Sequence, residues 1–126
     1  MIIDTDVLIW FYRGNGSAKQ SLYDNMPFSI SVITQMEIIQ GVRNKDELLK
    51  FQKDMERWAA EIFQINEPIS QKASNLLENY SLSCGLKLAD ALIAATTIEY
   101  NENLLTGNAK HYSFIPNLQI TLFIPQ

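Results

Sequence analysis

Asp4, Glu37 and Asp90 are the residues whose type and setting point to chemistry. Asp4 follows Met1-Ile2-Ile3 directly, so a carboxylate stands at the carboxyl end of a short strand-forming run. The same position suits the N-cap of a following helix, and position alone favours neither role. Asp6 reads as a first-turn helix residue, aligned with the helix dipole, rather than as a ligand. Glu37 lies mid-helix in Thr34-Gln35-Met36-Glu37-Ile38-Ile39-Gln40-Gly41, where a solvated residue is the plain interpretation. Gly41 follows one turn later on the same face, either opening room for an approaching group or ending the helix. Asp90 is the sharpest signal, because it interrupts Leu86-Lys87-Leu88-Ala89-Asp90-Ala91-Leu92-Ile93-Ala94-Ala95, a helix apolar on nearly all sides. A lone buried carboxylate must be protonated, paired or metal-bound. A salt bridge to Lys87, three residues earlier, is the structural alternative. Thr106-Gly107-Asn108 follows Leu104-Leu105 and places a hydroxyl and an amide at another strand end, although a turn alone explains Gly107 and Asn108.

Two strand ends and two helices would bring Asp4, Glu37 and Asp90 to one edge of a sheet, with Thr106 and Asn108 beside them. Carboxylates held that close repel one another and raise at least one pKa unless a cation neutralises them. A donor set of oxygens without His or Cys suits a hard ion, Mg²⁺ or Mn²⁺. Such ions share their coordination with substrate phosphates, so the chemistry implied is phosphodiester hydrolysis.

The elements that would position these residues alternate between strand and helix. Met1 to Asp4 reads as a strand, Thr5 to Arg13 and Ser17 to Asn25 as helices, and Phe28 to Ser31, after Pro27, as a half-buried strand. Ile33 to Val42 and the amphipathic stretch Asp46 to Glu61 are predicted helices, with Ile62 to Ile65 a strand between the second of these and a helix over Ile69 to Ser81 that Pro68 introduces. Leu88 to Tyr100 is the most apolar helix, and Leu104 to Thr106 and Gln119 to Phe123 are the last strands. About five short strands separated by helices predict an α/β domain with a mainly parallel central sheet and helices on both faces. Ligands of such sheets gather at the carboxyl ends of the strands. With no linker, repeat or low-complexity tract, residues 1–126 read as one domain.

Composition sets the outer limits. A chain of 126 residues, 47% hydrophobic and 19% charged, can bury a sizeable core without disulfides or structural zinc. Cys84 is the only cysteine, which excludes an internal disulfide and fits a reducing compartment. The apolar opening is cut at once by Asp4 and Asp6, and no stretch approaches membrane-spanning length, so a cytoplasmic protein without a membrane partner is expected. The net charge of −4 argues against a protein that coats nucleic acid through a broad basic surface. It leaves a nuclease open, because a bound metal supplies local positive charge.

These segments together resemble the PIN-domain nucleases, and within them the VapC-like toxins of bacterial and archaeal toxin–antitoxin pairs. Ile3-Asp4-Thr5-Asp6-Val7-Leu8-Ile9 is similar to the family's opening strand and first acid, and Ser31 to Gly41 to its second-acid helix. Leu88 to Thr96 is similar to the third-acid helix, and Leu105-Thr106-Gly107-Asn108-Ala109-Lys110-His111-Tyr112 to the segment with the last polar pair. The resemblance spans essentially the whole chain and implies a PIN-like fold and an RNA endonuclease in which Asp4, Glu37 and Asp90 hold Mg²⁺ or Mn²⁺. It implies in-line attack by an activated water, leaving a 5′-phosphate and a 3′-hydroxyl, with no catalytic histidine; His111 then reads as a surface or packing residue. Thr106 is expected to hydrogen-bond a carboxylate or a metal water. Many relatives carry a fourth acid where this chain has Asn108, which can ligate through its carbonyl oxygen but brings no charge; Asp6 is a candidate to compensate. Family relatives are commonly homodimers restrained by a small antitoxin protein. Leu8-Ile9-Trp10-Phe11-Tyr12 is apolar round most of its helix, which makes Trp10, Phe11 and Tyr12 candidates for partner contact, with burial inside the monomer as the alternative.

Competing interpretations are an RNA-processing nuclease of the same fold without an antitoxin, and a metal-free binding module of that fold, for which Asn108 is the only support. The Asp4-x-Asp6 pair is also similar to that of phosphatases with an aspartyl nucleophile. Those enzymes need a later lysine and a late acidic pair, whereas the only acids after Asp90 are Glu99 and Glu102.

Overall fold

Ile2 and Ile3 explain the centre of the molecule. Both are fully buried, and on a strand they point to opposite faces, so β1 (Ile2–Ile3) must be covered on both sides. A computed structural model describes residues 1–126. After β1 come α1 (Thr5–Tyr12), α2 (Gly16–Asp24), β2 (Ser29–Ser31), α3 (Val32–Gly41), α4 (Lys45–Trp58) and β3 (Glu61–Phe63). The second half holds α5 (Glu67–Cys84), α6 (Leu88–Glu99), β4 (Asn103–Thr106), a 3₁₀ turn at Ala109–His111 and β5 (Gln119–Leu122). The strand order is β3-β2-β1-β4-β5, and every pairing is parallel.

The chain leaves β1 toward β2 and β3 on one side, then returns to β4 and β5 on the other. The carboxyl ends of β1 and β4 therefore border the point where the winding reverses, the crevice in which open α/β sheets hold ligands. Ile3 joins Val7, Leu8, Phe28, Phe51 and Trp58 in one core layer. Ile2 joins Ile69, Ala91, Ile93, Leu104 and Tyr112 in the other. No helix is long and apolar enough to cross a membrane.

Local chemistry starts and stops the helices where the sequence signals them. Asp4, Asn15, Ser31, Asn44 and Asn66 each cap a helix by accepting from a backbone N–H in its first turn. Three element ends differ clearly from expectation. The amphipathic α4 stops at Trp58 rather than Glu61, because Ala59 turns left-handed at φ 51°. In contrast α5 runs on to Cys84, where Gly85 at φ 72° supplies the left-handed cap. β3 ends at Phe63, because its register with β2 covers only Ser29 to Ser31. Gly41 closes α3 with open space around it, so it ends the helix and no other part of the chain approaches it.

Candidate functional site

Asp4 serves both roles between which its position alone could not choose. Its Oδ1 accepts from Thr5 N at 2.8 Å as the N-cap of α1, and its Oδ2 accepts from Thr106 Oγ1 at 2.7 Å at the end of β4. Its own N–H bonds the Leu105 carbonyl at 2.9 Å, which locks the two strand ends together. The residue is 4% exposed. Burial, reinforced by the charge of Asp6, pushes its carboxyl up to about 7, against the opposing hydrogen bonds from Thr106, Thr5 and Tyr112.

Asp6 sits in the first turn of α1, as predicted, but it also reaches across to the next strand end. Its Oδ2 accepts from Gly107 N at 2.8 Å, while its Oδ1 is buried without a partner, and burial raises its pKa. Gly107 is glycine for want of space: a Cβ there would lie 2.6 Å from Asp6 Oδ2 and 3.3 Å from the Phe123 carbonyl. Its role is thus close approach, beyond the turn that the sequence suggests.

Two hydroxyl-bearing residues connect the acids. Thr5 caps with its N–H on Asp4 and donates its Oγ1 to Glu37 Oε1 at 2.7 Å, beside the Thr34 hydroxyl at 2.9 Å. Glu37 is exposed on α3, so it is a solvated helix residue that is nevertheless drawn to the site. On the other side, Tyr112 donates its hydroxyl to Asp90 Oδ1 at 3.1 Å and lies against Asp4 as well. Asp90 does not pair with Lys87; its basic neighbour is His111, with Nδ1 at 3.4 Å from Oδ2. It is also half-buried, not enclosed, because α6 opens with Leu88 largely exposed. Thr106 is fully buried and receives the Asn108 N–H at 3.0 Å, while Asn108 itself is exposed at the start of the 3₁₀ turn.

The acids form an open array. No three His, Cys, Asp or Glu side chains converge closely enough to encage an ion, so the crowded trio expected from the sequence is spread out and joined through Thr5 and Tyr112. No lysine or arginine neutralises Asp4, Asp6, Glu37 or Asp90. Tyr112 escaped the sequence reading. The available signal was an aromatic next to the polar Thr106-Gly107-Asn108 turn, whose hydroxyl needs a partner once its ring is buried.

The family model for the PIN domain matches residues 1–114 of this chain. The chain belongs to the PIN domain family. Its VapC-like character follows from whole-length relatives. It is 31% identical to Ribonuclease VapC1 of Rickettsia felis, over 95% of this chain and 93% of the relative. It is 28% identical to Ribonuclease VapC10 of Mycobacterium tuberculosis, over 99% and 95% of the two chains. Among solved structures, a toxin–antitoxin complex from Klebsiella pneumoniae superposes with a TM-score of 0.79 at 28% identity, covering 99% of this chain and 98% of that one. The fold is shared with VapBC2 from Rickettsia felis, bound to a fragment of its promoter DNA, with a TM-score of 0.81 at 21% identity over 98% of both chains.

In this PIN domain part of the apolar surface of α1 packs within the monomer. Phe11 packs edge-on to Trp58 and Tyr12 edge-on to Phe51, while Arg13 lies over Trp10 at 5.8 Å. Trp10, Phe11 and Tyr12 are all partly buried against the first core layer, so each contributes to packing within the monomer and keeps part of its surface exposed. The Tyr12 hydroxyl donates to Asp54 at 2.8 Å, a buried acid of α4 that the amphipathic pattern concealed and that Lys50 and Arg57 neutralise from the surface. Ile9 remains exposed and lines a groove of about 600 Å³ that begins at Glu37 and is bordered by Arg13, Arg43 and Lys50. Arg13, Arg43 and Lys50 thus stand beside the acids of the site, with Arg43 paired to Glu47 and Lys50 to Asp54.

Proposed function

We propose that this chain is a Mg²⁺- or Mn²⁺-dependent RNA endonuclease and the toxin of a toxin–antitoxin pair. The observation that carries the chemical part is Asp4: a buried carboxylate at the winding-reversal edge, destabilised as an anion by its burial and with no basic side chain to offset it. An all-oxygen donor set of Asp4, Asp90 and Glu37 fits a hard divalent ion, and the orphaned Asp6 Oδ1 marks a neighbourhood short of positive charge. An open array also suits an ion that keeps several waters and shares its sphere with phosphate. When bound, such an ion supplies Lewis acidity toward a phosphoryl oxygen and toward the attacking water.

The residues of the chain do the rest. Asp4 and Asp90 would hold the ion, with Thr106 fixing the rotamer of Asp4 through Oδ2. Glu37, exposed and steered by Thr5, is placed to accept a proton from water on the solvent side. Asp6 braces the Gly107 turn, and Asn108 offers a neutral carbonyl oxygen at the rim. The groove edged by Arg13 and Lys50 offers a path for the RNA backbone away from Glu37. The names Ribonuclease VapC1 and VapC10, and the toxin–antitoxin complex from Klebsiella pneumoniae, support RNA as substrate and an antitoxin as partner. A homodimer and a cytoplasmic location complete the proposal on family grounds.

The test is cleavage of total cellular RNA by the purified protein with Mg²⁺, with mapping of the cut ends. Cleavage that leaves 5′-phosphates, stops with EDTA and falls at least about 100-fold in Asp4→Asn and Asp90→Asn is expected. Full activity in both variants would overturn the assigned roles.

A further inference from the structure

We infer that Tyr112 is a positioning residue for this site: its buried hydroxyl, set between Asp4 and Asp90, holds the two carboxylates in register across the sheet edge. The inference rests on the proposed metal site and adds a residue to it. Asp4 comes from the end of β1 and Asp90 from the first turn of α6, and no backbone hydrogen bond ties one to the other. Tyr112 bridges that gap from a third element, just after the 3₁₀ turn at Ala109–His111. Its ring is fully buried among Ile2, Ile69, Ala91 and Leu104, so the hydroxyl is carried on an immobilised arm.

A phenylalanine would fill the same hole in the core, so packing accounts for the ring and leaves the oxygen to be explained. That oxygen lies 3.1 Å from Asp90 Oδ1 and against Asp4. A hydroxyl has one hydrogen and two lone pairs, which allows it to donate to one acid while leaving the other oriented by contact. Loss of partners that orient ligands in this way costs about 10- to 100-fold in metal affinity.

Calorimetry with Mn²⁺ on the wild type, Tyr112→Phe and Tyr12→Phe tests this. Tyr12 is the control, a phenol that likewise donates to a buried acid, Asp54 of α4, which is not among the proposed ligands. Tyr112→Phe is expected to bind Mn²⁺ about 10- to 100-fold more weakly, and Tyr12→Phe to bind like the wild type. Wild-type affinity in Tyr112→Phe, or equal weakening in both variants, overturns the inference while leaving the metal site standing. No heat with the wild type overturns both. A measurement that keeps the hydroxyl is the ¹⁹F resonance of 3-fluorotyrosine placed at position 112: it should shift on Mg²⁺ addition, and a resonance unmoved at saturation overturns the role.

Discussion

Asp4 accepts from Thr5 N and Thr106 Oγ1, which favour its anion, and is buried, which disfavours it, and burial prevails. The sign of the consequence follows from linkage. Below its ordinary value of 3.8 the carboxyl is protonated whether the chain is folded or not; above that the unfolded chain ionises first, while the folded carboxyl waits until about 7. Stability of the metal-free protein should therefore drain away between about pH 4 and pH 7, and Asp6, shifted the same way, adds to it. Urea titrations in EDTA are expected to give a lower midpoint at pH 8 than at pH 5, with most of the difference absent in Asp4→Asn. A midpoint that rises with pH would contradict this account. Asp4 and Asp90 were legible as candidates because each interrupts an apolar run. Tyr112 was not, because an aromatic in a polar segment looks like core until its hydroxyl is seen beside two acids.

At the scale of elements, the alternation of apolar runs with cap and turn residues was enough to place all five strands and the six α-helices in order. Periodicity fails where a polar group is buried for a partner on another element. Asp54 stands three residues after Phe51 and four before Trp58, at the border of the apolar face of α4, and it is buried there with the Tyr12 hydroxyl donating to it. Gly107 has the same history, since a turn accounts for a glycine locally and only the packing of α1 against β4 shows that Asp6 fills the missing side chain's space. Gly107→Ala is predicted to lose about 1–3 kcal/mol by overpacking. Adding Asp6→Ala should recover part of that, because it removes the nearest atom and leaves the milder contacts with Phe123. Thermal denaturation of the single and double variants decides, and an unperturbed Gly107→Ala would show that the turn can move aside.

For the whole molecule, composition gave the sign of the net charge but not its distribution. The acids of the site lie along one sheet edge, and Arg13, just after α1, borders the adjoining groove with Arg43 and Lys50, while Glu37 and Glu47 line it too, a juxtaposition that only folding creates. If RNA follows that groove, Arg13→Ala should weaken binding and reduce the slope of log affinity against log salt by about 0.7, the share of one phosphate contact on a single strand. A fluorescence titration with a non-cleaved RNA at several salt concentrations measures it, and an unchanged slope places the backbone elsewhere. The central claim concerns the acids themselves: that Asp4 and Asp90, with Glu37 on the open side, are the ligands of a divalent ion. Anomalous scattering from crystals grown with Mn²⁺ tests it most directly. A peak bonded to carboxylate oxygens of both Asp4 and Asp90 is the predicted result, and full-occupancy manganese elsewhere, with those two side chains bonded only to protein, would contradict it.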